Sequence, residues 1–204
     1  MRLTQSPVSM DAISRTDRGV HAKGQIVQFF ASCKIPASRL PTALNAHLPK
    51  DIRIQSVQLS PNLFTPLSKT YCYSIDLGPF QSPFLRDQTW HYPYPIDLDL
   101  LKQGASFLIG THNFSSFSTD PTADPTRTLH AITVANSFPL LQIRMTGDKF
   151  LYKMARTIAG TLLNLGSGKL SKEIFYRLLE GNNRVQAGVT APPEGLCLEK
   201  IDGV

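Results

Sequence analysis

The order of secondary-structure signals along this chain predicts a mixed α+β fold, a mainly antiparallel sheet with helices covering one of its faces. Three patterns carry that prediction. Tyr71, Tyr73 and Ile75 alternate with Cys72, Ser74 and Asp76, a period of two that gives a strand one aromatic face and one more polar face. Leu129 to Asn136 and Leu140 to Met145 are β-rich runs joined by a Ser137-Phe138-Pro139 turn, the pattern of a hairpin. Phe150 to Leu165 holds the strongest helical periodicity of the chain.

The other elements follow in order. Residues 25–30, Gln-Ile-Val-Gln-Phe-Phe, read as a strand after a turn at Gly19. Leu40, Ala43, Leu44 and His47 recur at helical spacing within Ser38 to His47, and Pro49 ends that helix. Ile52 to Leu59 alternates as a strand. Residues 79–95 are rich in proline and aromatics, which predicts a loop, and Asp97 is placed to cap a helix reaching about Ile109. Residues 118–128 form a polar connection, Ser171 caps a helix ending near Gly181, and Gly195 to Ile201 returns as a last strand.

Composition narrows the function classes. With 204 residues and 42% hydrophobic content the chain has enough apolar surface for one substantial core or two small ones sharing a sheet. Charged residues make up 18% and are dispersed, which argues against a disordered or coiled-coil chain. No apolar stretch reaches the length of a signal peptide or a membrane span, so the expectation is a cytoplasmic protein that does not engage a membrane. Cys33, Cys72 and Cys197 are odd in number and far apart, and the five histidines lack ligand spacing, which predicts reduced thiols and no metal centre. The net charge of +6 is uneven: residues 1–50 hold seven Lys or Arg against two acids, and residues 144–184 hold eight against three. Two basic blocks suit a polyanionic partner, because displaced phosphate counterions favour binding; a merely solvated basic surface fits the charge equally well.

Three segments of the chain invite a chemical reading, and two of them keep it. Asp17 precedes a turn glycine, where a carboxylate more often caps a backbone N–H; its flanking Arg15 and Arg18 instead suggest an acid set in a positive field that a phosphate backbone would approach. On a helix beginning at Phe150, Tyr152, Lys153, Arg156 and Gly160 share one stripe while Met154, Ile158 and Leu162 form another. Arg156 is thereby held apart from the apolar contacts, free to pair with an acid or to reach solvent. Gly166-Ser167-Gly168-Lys169 is no phosphate loop: Leu163 stands where the first glycine belongs and Leu170 where Ser or Thr is required, so it reads as a helix end and a loop.

Together, Ser14–Ala22 (Ser-Arg-Thr-Asp-Arg-Gly-Val-His-Ala), Lys69–Tyr73 (Lys-Thr-Tyr-Cys-Tyr), Gly110–Phe117, Gly147–Arg156 and Ala191–Leu196 resemble, in order, the motifs of the tRNA pseudouridine synthase A family. The resemblance covers about residues 14–202 and implies a pseudouridine synthase-like fold. It divides the chain into residues 1–66, carrying the Arg-Thr-Asp loop, and residues 67–204, carrying the Tyr and Arg motifs; whether these form two similar half-domains stays open. It implies that Asp17 is the catalytic carboxylate, that Arg156 pairs with it, that Tyr71 stacks on the uracil and that Arg15 helps displace the target base. Arg18, His21, Lys149 and Lys153, within the same motifs, are expected to bind RNA with Arg15. The implied reaction is isomerisation of uridine to pseudouridine in the tRNA anticodon stem-loop, with no cofactor, by a homodimer whose partner is tRNA.

The sequence departs from the family pattern at its start. The family's strand and helix ahead of the Arg-Thr-Asp motif are not found before residue 15, which leaves two readings, a start assigned too late or an N-terminally shortened member. Ser14, Asn113 and Lys153 replace the usual glycine, aspartate and histidine, and no catalytic group is lost. An active synthase and a catalytically silent tRNA-binding or tRNA-folding paralogue both fit. Asp17 and Arg156 lying far apart would point instead to an unrelated soluble enzyme.

Overall fold

The computed structural model describes residues 7–120, 124–180 and 187–203. The chain divides into two compact units: the described residues up to Ser14 with Ile26–Thr65, and Arg15–Gln25 with the described residues from Pro66 onward. The Arg-Thr-Asp loop, expected in an N-terminal half of residues 1–66, therefore groups with the second unit.

In the first unit, β1 (Met10–Ala12) pairs antiparallel with β3 (Val27–Phe29). A 3₁₀ turn at Ala37–Arg39 leads into α1 (Leu40–Asn45), with Pro41 in its first turn, shorter than the helix expected over Ser38 to His47. The strand expected at Ile52 to Leu59 does not form. The Asn45 side chain takes both backbone groups of Ile54, donating Nδ2–H to its oxygen at 2.9 Å and accepting its N–H at 2.7 Å. A backbone satisfied by an amide side chain has no group left at that residue for a ladder.

The second unit is built on one sheet in the order β2–β9–β4–β8–β7–β6: β2 (His21–Ala22), β9 (Leu196–Gly203), β4 (Pro66–Asp76), β8 (Leu140–Gly147), β7 (Thr126–Ser137) and β6 (Gly110–Asn113). All neighbours are antiparallel except β2 beside β9 and the two-residue β5 (Trp90–His91), which pairs parallel with the end of β4 inside the region expected as loop. Mixed α/β with a mainly antiparallel sheet is thus the architecture observed. The predicted hairpin is β7–β8, and the predicted closing strand is β9. Part of the polar connection expected at 118–128, residues 121–123, lies outside the described residues.

Among the described residues, three α-helices belong to this unit. Asp97 caps α2 (Leu98–Phe107), its carboxylate accepting Leu100 N–H at 2.9 Å. α3 (Met154–Gly166) begins four residues later than the periodicity suggested, because Lys153 has a left-handed backbone, φ 58°, that cannot continue a helix. It ends as expected at the Gly166–Lys169 segment, where Leu170 N–H bonds back to the Asn164 carbonyl. Ser171 caps α4 (Lys172–Arg177), which passes into a 3₁₀ turn at Leu178–Glu180; the expected end near Gly181 lies outside the described residues. No helix among the described residues is long and apolar enough to cross a membrane.

Strand alternation sorts the sheet into two faces. Tyr71, Tyr73, Ile75, Leu141, Ile143 and Met145 are buried on the side where α3 packs with its Met154, Ile158 and Leu162. Each such aliphatic side chain contributes roughly 1.5–3 kcal/mol when fully buried. The other face is polar: Thr70 and Thr146 hydroxyls lie 3.0 Å apart, and Arg144 bonds both oxygens of Glu199, at 2.6 and 3.2 Å, across the intervening β4. Cys72 and Cys197 face one another on that side as free thiols.

α3 reaches the segment ahead of β9 through bare backbone. A side chain at Gly160 would collide with the Val189 carbonyl, and one at Gly188 would meet the Thr161 backbone at 2.5 Å. The approach is held by Gly188 N–H donating to Thr161 Oγ1 at 3.0 Å and by the Thr157 and Thr190 hydroxyls 3.2 Å apart.

Gly160→Ala should therefore push residues 188–191 off α3 and destabilise the protein by about 1–3 kcal/mol, measured by urea denaturation; an unchanged midpoint would mean the helix has slack to spare. The Arg144 hydrogen bond keeps the Glu199 carboxyl below its ordinary pKa, with burial opposing. Its stabilisation is present above the unfolded glutamate value, about 4.3, and disappears as pH falls through the depressed folded value. Because Arg144 is more than a third exposed, solvent screens the pair. Glu199→Gln should cost no more than about 1 kcal/mol at pH 7, with the gap to the unaltered protein closing under acid conditions.

Candidate active site

Asp17 sits in a tight turn in which Val20 N–H donates to the Asp17 carbonyl at 3.1 Å. Gly19 has φ +86°, a conformation that glycine adopts without strain, and a side chain there would lie 3.1 Å from the Pro193 ring. The turn therefore rests on the Ala191–Leu196 segment. Directly afterwards β2 joins β9, and Lys23 N–H donates to the Leu198 carbonyl at 2.8 Å, which fastens the downstream end of the loop to the sheet.

Arg156 lies in the first turn of α3, and its guanidinium is held twice. Nε donates to the Ala191 carbonyl at 2.7 Å and Nη1 donates to Asp17 Oδ2 at 2.7 Å. The Ala191 N–H returns a bond to the Arg156 carbonyl at 3.2 Å. The two charged side chains are only 12% and 22% exposed, so the pair works in a medium less screened than water. Losing either partner leaves the other charge partly buried and uncompensated, which is costlier than losing a surface pair. Of the stripe read from the sequence, Arg156 and Gly160 are on α3, while Tyr152 and Lys153 precede it.

The same loop is braced from the sheet. Tyr73, wholly buried, donates its hydroxyl to the Pro192 carbonyl at 2.8 Å. Burial pushes its phenol far above the ordinary range, with Glu194 adding to the effect and Arg156 opposing it, so the group is a neutral donor. Tyr71, two residues earlier, faces the same side of β4, and its ring meets the Phe150 ring edge-on at 5.0 Å. It is 7% exposed, so Phe150 and its neighbours cover most of the ring.

The remaining expected residues have their own local surroundings. Arg15 and Arg18 are exposed and make no ion pair among the described residues. The His21 Nε2 lies 2.6 Å from the Asp87 carbonyl, so this ring ties β2 to the 79–95 loop. Lys149 is exposed beside Asp148, whose Oδ1 accepts the Thr128 N–H at 3.2 Å and the Lys149 N–H at 2.6 Å. The Lys153 ammonium lies over the Tyr152 ring, 4.8 Å from its centroid. Sequence reasoning did not single out Phe150, Tyr73 or the Ala191 and Pro192 carbonyls. Alternation marked Tyr73 as facing with Tyr71, but a backbone acceptor leaves no mark on a residue type.

Comparison with known proteins places the chain in a family. Residues 105–202 match the family model described as tRNA pseudouridine synthase. The tRNA pseudouridine synthase A of Thermoanaerobacter sp. (strain X514) is 39% identical over 206 residues, covering 98% of this chain and 84% of that protein. That of Bacillus pumilus (strain SAFR-032) is 40% identical over 200 residues, covering 95% and 81%. The tRNA pseudouridine synthase A 2 of Protochlamydia amoebophila (strain UWE25) is 40% identical over 210 residues, covering 98% and 80%. At this identity and coverage, the chain belongs to the tRNA pseudouridine synthase A family.

Proposed function

We propose that this protein isomerises uridine to pseudouridine in tRNA, at uridines of the anticodon stem-loop, with the Asp17 carboxylate as its catalytic group. The observation that carries the reading is the 2.7 Å hydrogen bond from Arg156 to Asp17, a carboxylate kept in place by a guanidinium that the Ala191 carbonyl also fixes. A silent tRNA-binding role gives no reason to gather these groups so closely. Tyr71 and Arg156, with Asp17, are the residues expected to meet the uridine, and Arg15, Arg18, His21, Lys149 and Lys153 are those expected to bind the RNA. The partner is tRNA, and the family resemblance extends the proposal to a homodimer in the cytoplasm.

The reaction breaks the C1′–N1 bond, turns the uracil, joins C5 to C1′ and moves the C5 proton away while N1 regains one. It is an isomerisation with no net change of atoms or electrons, so side chains suffice for it. Arg156 holds the acid aimed; Oδ2 is engaged, which leaves the other carboxylate oxygen to act as nucleophile. A uridine within a stem must first leave the stack, and exposed Arg15 beside the turn suits the gap so opened. Tyr71 then offers its ring to the extruded base.

Asp17→Ala and Asp17→Asn should each lower pseudouridine formation on an unmodified tRNA transcript by at least about three orders of magnitude, while tRNA binding persists. Product formed at the unaltered rate by either variant would end the assignment. Arg156→Lys cannot hold the Ala191 carbonyl and Asp17 together in one plane, and kcat should fall about a hundredfold, with KM changing much less.

A further inference from the structure

Two residues just ahead of and within α3 touch the expected catalytic groups, and the turn between them holds an aromatic ring out in solvent. Phe150 meets the Tyr71 ring edge-on at 5.0 Å, and Arg156 donates to Asp17 Oδ2 at 2.7 Å. Tyr152 lies between these two in the chain, within about 14 Å of the Arg156 Cα even at full extension. Its neighbours Leu151 and Met154 are buried, yet Tyr152 is 51% exposed. The turn that carries it is pinned on both sides. Met154 N–H donates to the Leu151 carbonyl at 3.0 Å, Thr157 N–H donates to the Lys153 carbonyl at 3.0 Å, and the buried Ser118 Oγ lies 3.3 Å from the Tyr152 carbonyl. Lys153, with φ 58°, is the one non-glycine residue of positive φ among the described residues. A lysine in that conformation opposes folding where a glycine would not, and strain of this kind gathers where a fixed shape serves function. The Lys153 ammonium lies over the Tyr152 ring, 4.8 Å from its centroid, so an exposed ring and a cation are presented together beside the candidate site.

We propose that Tyr152 is a substrate-positioning residue, a stacking platform for the base of a tRNA nucleotide adjoining the target uridine, with the Lys153 ammonium meeting that nucleotide's phosphate. The assignment rests on the reading in which Asp17 and Tyr71 receive the uridine. A nucleotide supplies both complements, a flat π surface for the ring and anionic oxygens for the ammonium; an apolar side chain of a protein partner would cover the ring and leave the ammonium without an anion. When the target base leaves its stack, the neighbouring base loses its partner on that side, and the Tyr152 ring takes the vacated place. Because the turn is already pinned, little ordering remains to be done on binding. The pair thus acts on the placement of the strand and not on the bonds that change.

The test measures Kd, its salt dependence, KM and kcat for an unmodified tRNA transcript with Tyr152→Leu, Tyr152→Phe, Lys153→Gln and Lys153→Gly. Kd is measured again on ligated transcripts that lack the base immediately upstream or downstream of the modified uridine. Tyr152→Leu should raise Kd and KM about tenfold and leave kcat within a few-fold, while Tyr152→Phe, which keeps the ring, should match the unaltered protein. On one of the two abasic transcripts the Tyr152→Leu penalty should vanish, because the ring then has no base to hold. Lys153→Gln should flatten the slope of log affinity against log salt by about 0.7–0.9. Lys153→Gly should do the same without lowering the urea midpoint, since glycine takes the left-handed conformation freely. Unchanged affinity in Tyr152→Leu would overturn the proposal, as would a Tyr152→Phe protein that binds as weakly as Tyr152→Leu. A penalty that persists on both abasic transcripts would also overturn it, by assigning Tyr152 a structural role, and an unaltered salt slope in Lys153→Gln would remove the phosphate contact. Turnover by the unaltered enzyme that depends on Asp17, alongside a silent Tyr152→Leu, sinks this inference alone; absent turnover in the unaltered enzyme sinks the reading beneath it.

Discussion

The organisation of the second unit turns on one guanidinium. Arg156 bonds the Asp17 carboxylate with Nη1 and the Ala191 carbonyl with Nε, and so joins the turn at 17–20, the first turn of α3 and the segment that leads into β9. A lysine offers a point charge; the planar fork of an arginine fixes directions as well as distance, and two acceptors in different segments become a single constraint. Everything else near the site reinforces that constraint. Gly19 lets the turn rest on Pro193, and Tyr73 binds the Pro192 carbonyl from below.

This arrangement explains why α3 is packed as it is. A helix that presents one charged residue to a carboxylate must be fixed in rotation and in height. Its rotation is set by the apolar stripe of Met154, Ile158 and Leu162 against the sheet, and its height by the backbone contact at Gly160 and Gly188. The left-handed Lys153 then starts the helix late enough that Arg156 falls in its first turn. Helix dipoles favour anions near such an end, which suits a carboxylate at that place.

Much of this was legible in the residues, for reasons that differ by element. The β4 strand, the β7–β8 hairpin and α2 are long enough for their periodicities to repeat, and Asp97 caps α2 as its position suggested. β1, β2, β5 and β6 are two to four residues long, too short for any period to declare itself, and exist because a neighbour offers an edge. The strand expected at Ile52 to Leu59 had the right alternation; the Asn45 amide, nine residues from Ile54, claimed its backbone instead. In the site, the pairing of Asp17 with Arg156, 139 residues apart, followed from the family motifs and not from spacing. The start of α3 was misplaced because Phe150, Leu151 and Tyr152 continue the apolar pattern while a single positive φ stops the helix.

The central claim is that the acid and the guanidinium support one another. A double-mutant cycle on folding free energy tests it most directly, with Asp17→Ala, Arg156→Ala and the combined variant unfolded in urea at neutral pH. A coupling of at least about 1 kcal/mol is expected for a charge-assisted bond at this burial. Losses that simply add, to within about 0.5 kcal/mol, would mean that the two groups are neighbours without being partners, and the account of the site would fail with them.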